Sequence, residues 1–422
     1  MLGGDRFLVG RDTRISGPLL QAALSAGLAS EGVDVADLGV LPTPGVAWLA
    51  AADHCPAAVI SASHNPYPDN GIKFFVAGGR KLSGELEAQL EAELDRLLDG
   101  AGPGPVGDAV GRVDTYCPLE GPLGPGEGRH RYADGLVATL PPGALSTLSV
   151  VVDCANGAAS QVAPEVLRRL GASVEVIGDR PDGTNINDGC GSTAPGDLQR
   201  EVLARGADCG LAFDGDADRV LAVDHRGDLV DGDQLIAVCA VDRRSRGSLS
   251  DDTVVITVMS NLGFRVAMAD HGIRLVETDV GDRYVLEALE KGGWVLGGEQ
   301  SGHIIFRDLA TTGDGLLTGL QVLDVVARSG RPLAELAGVM TRRPQVLSNV
   351  RVARRGPVTE HDEVRAAVAE VETSLAGQGR VLIRASGTEP VVRVMVEAPS
   401  REEAQAAADS LAGVIGRALG TA

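Results

Sequence analysis

The chain has 422 residues, 58 acidic against 38 basic, and a net charge of −20. That length calls for several domains, because single cores stop growing well below it, and the charge argues against a nucleic-acid partner, since neutralising phosphates takes a surplus of Lys and Arg. No apolar run approaches the roughly 20 residues of a membrane span, and the opening residues carry no charged-then-apolar signal pattern, so a cytoplasmic, soluble chain without a membrane partner is expected.

Taken in chain order, one unit recurs three times: a short β-branched strand, a small-residue turn, and a helix. The first is a strand over 6–10 and a helix over 19–30. The second is a strand over 149–153 and a helix over 162–170. The third is a strand over 253–258 and a helix over 263–271. Continuous apolar runs of this length suit strands covered on both faces, and alternating strands and helices suit mainly parallel sheets. The stretch 100–128 is rich in Gly and Pro without periodicity and reads as loop or linker. At the C-terminal end, strands over 345–352, 380–384 and 391–397 and helices over 362–375 and 402–419 read as a different, α+β unit. The expected class is α/β: three similar α/β domains with mainly parallel mixed sheets, plus a smaller C-terminal α+β domain. The expected divisions are 1–140, 141–245, 246–344 and 345–422. With 3% aromatics the cores must be built from Ala, Val, Leu and Ile. The six cysteines (Cys55, Cys117, Cys154, Cys190, Cys209 and Cys239) show no C-x-x-C spacing and read as scattered, reduced thiols.

Four stretches carry chemistry. Ser61-Ala62-Ser63-His64-Asn65-Pro66 follows an apolar strand, so Ser63 is expected on a rigid turn with an exposed hydroxyl. Taken alone, such a serine is more often a hydrogen-bonding turn residue. Phe213-Asp214-Gly215-Asp216-Ala217-Asp218-Arg219 sets three carboxylates at alternate positions. They repel unless a cation lies among them, and hard oxygen ligands suit Mg²⁺. A calcium loop does not fit, because Arg219 stands at the required glycine and His225 at the bidentate glutamate. Gly297-Gly298-Glu299-Gln300-Ser301-Gly302-His303 alternates Glu299, Ser301 and His303, so an extended backbone would aim all three at one face. Arg384-Ala385-Ser386-Gly387-Thr388-Glu389-Pro390, with Arg393 following, combines hydroxyls, an open backbone and two guanidinium groups, which is the chemistry of a phosphate cradle.

The four stretches, in this order, resemble the α-D-phosphohexomutase superfamily, and within it the bacterial phosphoglucosamine mutase family. The resemblance implies a phosphorylated nucleophile at Ser63 and one Mg²⁺ held by Asp214, Asp216, Asp218 and an oxygen of phosphorylated Ser63. It further implies sugar contacts from Glu299 and Ser301, and a phosphate site of Arg384, Ser386, Gly387, Thr388 and Arg393. Lys73 and His303 become acid–base or phosphate-contact candidates, Arg219 a charge-offsetting contact and Arg283 a residue facing substrate. The domains would then serve, in order, the phosphoserine, the metal, the sugar and the phosphate. The implied reaction interconverts glucosamine 6-phosphate and glucosamine 1-phosphate through glucosamine 1,6-bisphosphate, for cell-wall precursor synthesis, and Gln300 is taken to favour the amino sugar. The resemblance admits a homodimer.

The family's opening F-G-T-D-G-x-R-G stretch has no copy in these 422 residues. A chain extended to include it is expected to be more active and less prone to aggregate. Phosphomannomutase or phosphoglucomutase activity is the alternative on the same fold, and a weakly active or non-catalytic sugar-phosphate binder is another. A phosphatase using Asp214 as nucleophile would also suit a strand ending in D-x-D, but Asp218 stands where that pattern takes Thr or Val.

Overall fold

Strand β1 (Arg6–Arg11) is flanked by two parallel neighbours, β2 (Asp34–Val40) and β3 (Ala57–Ile60). All four residues of β3 are fully buried, which is why its sequence is a plain apolar run without alternation. From β3 the chain returns antiparallel as β4 (Ile72–Phe75), setting Lys73 opposite Val59. A short strand β5 (Val113–Thr115) pairs parallel to β2 at the other edge. The Gly/Pro-rich stretch expected as plain loop therefore contributes a strand: backbone pairing to an open sheet edge outweighs the weak local propensity of Val113-Asp114-Thr115. In this computed structural model the described residues are 4–98, 105–115, 126–353, 358, 361–385 and 391–420.

The same winding repeats twice. β6 (Ser149–Asp153) lies between parallel β7 (Ser173–Ile177) and β8 (Cys209–Phe213), and β8 returns antiparallel as β9 (Val220–Asp224), which β10 (Leu229–Val230) extends. β11 (Thr253–Thr257) lies between parallel β12 (Arg274–Thr278) and β13 (Leu296–Gly298), and β13 returns antiparallel as β14 (Ile304–Phe306). In each sheet the hairpin between the third parallel strand and its antiparallel partner carries one of the sequence motifs: Ser63, the aspartates, or Glu299 to His303.

The chain forms two compact units, Met1–Met259 with His271–Val339, and Ser260–Asp270 with Met340–Ala422. The second holds an all-antiparallel sheet, β15 (Gln345–Arg351) and β16 (Arg380–Ala385) on either side of β17 (Val391–Glu397). Helices Asp362–Ser374 and Arg401–Leu419 cover it, and the second starts with a capping box of Ser400 and Glu403. Its core is aliphatic, centred on Val394, Val396, Leu411 and Ile415. The expected class holds: three mixed, largely parallel sheets and a small antiparallel one. Among the described residues Cys55, Cys154, Cys190, Cys209 and Cys239 are free thiols. No described helix is long and apolar enough to cross a membrane.

Asp314 is buried at the start of helix Gly315–Ser329, where it caps Leu317 N–H at 2.9 Å and accepts the Tyr132 hydroxyl at 2.8 Å. Burial pushes its carboxyl up to about 6, despite the pull of both hydrogen bonds. A folded value above the unfolded one means that the folded state binds this proton more tightly. The resulting stability is full below about pH 4 and lost as pH rises through 6. Asp314→Asn keeps the size of the side chain and an acceptor for the Leu317 N–H, turns an amide N–H toward the Tyr132 hydroxyl oxygen, and removes the titration. The variant should therefore gain on the parent by roughly 2 kcal/mol between pH 4.5 and 7.5, read as the difference between the two in urea unfolding at each pH.

Candidate active site

The motif after β3 turns back on itself through Ser63, whose backbone lies in the left-handed region at φ +51. A non-glycine residue costs on the order of 1–2 kcal/mol there, so the surroundings must hold it. Ser61 Oγ accepts the Ser63 N–H at 2.9 Å and itself donates to Asp12 Oδ2 at 2.7 Å. Gly215 is what lets the second motif approach: a Cβ there would lie 2.8 Å from the Ser63 carbonyl oxygen and 2.7 Å from Ile186. The exposed hydroxyl expected from the sequence is corrected by this packing. Ser63 is 8% exposed, and its Oγ donates to Asp214 Oδ2 at 2.5 Å.

Asp214, Asp216 and Asp218 are all buried, each offering a carboxylate oxygen within 4.8 Å of the others. At an effective dielectric of about 20, each ionised pair at that range costs at least about 3 kcal/mol. Cationic and hydroxyl partners offset part of it. Lys73 Nζ donates to Asp216 Oδ2 at 2.6 Å and to Asp218 Oδ2 at 3.3 Å, and Thr43 Oγ1 donates to Asp216 Oδ2 at 2.6 Å. Burial pulls the Lys73 ammonium down, but Asp216 and Asp218 outweigh it and hold the pKa well above the ordinary lysine value. Lys73 is thus held as a cation by the two carboxylates it bridges. Burial, with the charges of Asp218 and Asp216, pushes the Asp214 carboxyl far above the usual range. Asp218 is driven up by burial too, yet Lys73 and His303 hold it well below. Asp216 Oδ1 and Asp218 Oδ1 are buried without a hydrogen-bond partner among the described residues. Two orphaned carboxylate oxygens beside a third buried aspartate fit a hard divalent cation.

The third motif departs from its expected shape. Glu299 to His303 form a tight hairpin turn, closed by Glu299 N–H on the His303 carbonyl at 3.0 Å and Gly302 N–H on the Glu299 carbonyl at 3.0 Å. The backbone is not extended, so the three side chains do not share a face. Ser301 is exposed, while His303 is buried with Nδ1 3.6 Å from Asp218 and Nε2 3.7 Å from Asp282. Asp282 also pairs with Lys81; although burial pushes its carboxyl up, Lys81 and His303 pull it down to about 2. Glu299 accepts the Gly281 N–H at 3.0 Å and the Ser301 hydroxyl at 3.3 Å. Gln300, read from the sequence as favouring the amino sugar, donates through Nε2 to Asp231, the N-cap of helix Gly232–Ser245.

Arg219 lies beside the aspartates, with its N–H on Asp214 Oδ1 at 3.2 Å and its Nε 3.8 Å from Asp218 Oδ1. Arg283 is half exposed at the start of helix Asp282–Gly292, where its Nε donates to Glu287 at 2.9 Å. In the C-terminal unit, Arg384 and Arg393 are exposed cross-strand partners of β16 and β17. Two guanidinium groups directly opposite one another repel unless an anion joins them. Ser386, Gly387 and Thr388 lie outside the described residues. The sequence reading missed Asp12 and Thr43 as supports of this site. A polar pair following the buried β1 was the available signal for Asp12. Thr43 had none, since its partner lies 173 residues away.

The phosphoglucomutase/phosphomannomutase family matches in four segments: α/β/α domain I over residues 2–99, domain II over 130–227, domain III over 231–343 and the C-terminal domain over 347–414. Phosphoglucosamine mutase from Symbiobacterium thermophilum is 55% identical over 97% of this chain and 89% of its own length. That of Kineococcus radiotolerans is 54% identical over 98% and 90%. A solved phosphoglucomutase/phosphomannomutase family protein from Burkholderia thailandensis shares the fold at a TM-score of 0.80 and 26% identity, over 100% of this chain and 91% of that one. With four family domains matched and more than half of all residues shared with full-length relatives, the chain belongs to the phosphoglucosamine mutase family, a family of isomerases within the phosphoglucomutase/phosphomannomutase group.

Proposed function

We propose that the chain interconverts glucosamine 6-phosphate and glucosamine 1-phosphate in the cytoplasm, with Ser63 as the residue that carries the phosphoryl group. The observation that carries this reading is the buried Ser63 hydroxyl 2.5 Å from Asp214, at the edge of a three-carboxylate cluster. The phosphoryl group passes from phosphorylated Ser63 to the free hydroxyl of the sugar phosphate: the bond from phosphorus to Oγ breaks, and one to the sugar oxygen forms. Glucosamine 1,6-bisphosphate results, turns end for end, and returns its other phosphoryl group to Ser63. Such transfers depend on positioning and charge neutralisation more than on covalent work by the protein.

Asp214, Asp216 and Asp218 would hold one Mg²⁺, which when bound supplies positive charge to the oxygens of the transferring group. Lys73 and Arg219 add fixed positive charge at the same place. Lys73 and His303 are the candidates for acid–base work or for contact with the reacting phosphate. Glu299 and Ser301 are assigned to the sugar. Arg384 and Arg393, with Ser386, Gly387 and Thr388, are assigned to the phosphate that does not react, and Arg283 to the approach of substrate. In this reading 1–140 serves the phosphoserine, 141–245 the metal, 246–344 the sugar and 345–422 the distal phosphate.

Protein incubated with sugar bisphosphate should carry a hydroxylamine-resistant phosphate on the Ser63 peptide, and Ser63→Ala should lower kcat/KM by at least about 10⁴-fold. Hydroxylamine-labile phosphate on Asp214 would replace the mutase reading with a phosphatase. For the metal, added Mg²⁺ should stabilise the parent by about 2–3 kcal/mol at a hundredfold excess over Kd. Asp216→Asn should lose most of that gain. Equal Mg²⁺ responses in differential scanning calorimetry would reduce the cluster to a buried turn. For the sugar, an anionic Glu299 favours a 2-ammonium group over a 2-hydroxyl. Glu299→Gln should therefore lower kcat/KM for glucosamine 1-phosphate about tenfold more than for glucose 1-phosphate. A parent enzyme that prefers glucose or mannose phosphate would assign it to the alternative activity.

A further inference from the structure

Two side chains from distant parts of the chain converge on the same pair of backbone oxygens in the Ser63 turn. Arg14 Nη2 donates to the Ser63 carbonyl at 2.9 Å and to the Asn65 carbonyl at 2.8 Å, while its Nη1 reaches the Pro66 carbonyl at 2.5 Å. The guanidinium is fully buried and is oriented by Asp12, which accepts both its Nε and its backbone N–H at 2.9 Å. Asn187 Nδ2 donates to the same Ser63 and Asn65 oxygens, at 2.9 and 3.0 Å. Asn187 belongs to the loop between β7 and β8, so this grip comes from the sheet that carries the aspartates. It is itself left-handed at φ +58, and its N–H is fixed on the Ala155 carbonyl at 3.0 Å.

The Ser63 hydroxyl holds itself in place through its hydrogen on Asp214. That hydrogen is gone whenever Oγ carries a phosphoryl group. In the phosphorylated half of every cycle this tether is replaced by whatever the phosphoryl oxygens contact, so the contacts able to keep the left-handed backbone the same in both halves are those indifferent to what Oγ bears. The four hydrogen bonds from Arg14 and Asn187 to the Ser63 and Asn65 carbonyls meet that requirement.

We propose that Arg14 and Asn187 are positioning residues that hold the Ser63 backbone through both states of its side chain, and that Asn187 thereby limits loss of the phosphoryl group to water. The inference rests on the reading of Ser63 as the phosphoryl carrier. In the loss reaction a water oxygen bonds to phosphorus, the bond from phosphorus to Oγ breaks, Oγ recovers a proton and inorganic phosphate leaves. A turn free to swing exposes phosphorus to that attack when no sugar hydroxyl is in line.

Asn187 is the residue to test, because it is half-buried on a loop, whereas removing Arg14 strands the buried Asp12 charge. Asn187→Ala should lower kcat about 10- to 100-fold, the scale of a misplaced reacting group, with KM within about threefold. Inorganic phosphate released per mutase turnover, measured with glucosamine 1-phosphate and its bisphosphate, should rise at least tenfold. Asn187→Asp has the same size but no donor and repels the carbonyls, so it should be at least as impaired, and it serves as the second variant if alanine unfolds the loop. Parent-like kcat and phosphate release in Asn187→Asp would overturn the inference. Ser63→Ala separates the two failures. Phosphate uptake by Ser63→Ala would overturn the carrier reading and this inference with it. No uptake there, combined with a parent-like Asn187→Asp, would overturn this inference alone.

Discussion

Three buried carboxylates within 4.8 Å of one another are the constraint on which the rest of this site depends. Left alone they would repel, take up protons or open the structure. Instead Lys73 arrives from β4, Thr43 from the start of helix Thr43–Ala52, His303 from the β13–β14 turn and Ser63 from the β3–β4 turn. Each brings a donor or a positive charge, and each comes from a different part of the chain. Among the described residues two carboxylate oxygens, Asp216 Oδ1 and Asp218 Oδ1, still lack a hydrogen-bond partner. The site is therefore electrostatically incomplete as protein alone, which is the condition under which a divalent cation binds and a phosphoryl group can be held beside it.

The elements that meet at this cluster meet because one winding is used three times. In each sheet the third parallel strand is buried and is followed by an antiparallel return. The intervening turn is anchored at both ends by ladder hydrogen bonds. Such a turn is rigid without a core of its own, so it can spend its side chains on chemistry. The three turns are not equivalent in what they carry. The first bears the nucleophile candidate, the second the carboxylates, and the third a histidine that reaches under Asp218. The C-terminal sheet follows a different rule, with Arg384 and Arg393 placed side by side by antiparallel register.

Electrostatics also sorts the candidates among themselves. Lys73 is tied to the cluster by two carboxylates, Asp216 and Asp218. Gln300 donates to Asp231, the N-cap of helix Gly232–Ser245. Glu299 keeps its carboxylate at the turn while anchoring Gly281, so the charge that would meet an amino sugar is already oriented.

Read from sequence alone, the class of fold, the repeating units and the chemistry-bearing stretches were legible, because each is written locally. An unbroken apolar run marks a doubly covered strand, alternate aspartates mark a metal-binding turn, and Ser63 sits in a motif specific enough to carry a family resemblance. What the sequence could not state is which distant groups meet. The exposed hydroxyl expected at Ser63 is buried, because Gly215 lets another sheet's loop close over it. The alternation of Glu299, Ser301 and His303 suggested a shared face, but Gly302 at φ +92 folds them into a turn. Val113-Asp114-Thr115 looked like linker, yet an open sheet edge made it a strand. Thr43 and Asn187 carry no local signal at all, since their partners lie 173 and 124 residues away, and Arg14, paired locally with Asp12, grips a Ser63 carbonyl 49 residues away. Local sequence determines what a segment can be, through backbone preference and the pattern of burial. Only the tertiary structure decides which hydrogen bond a side chain makes, because that depends on the path of chain it cannot see.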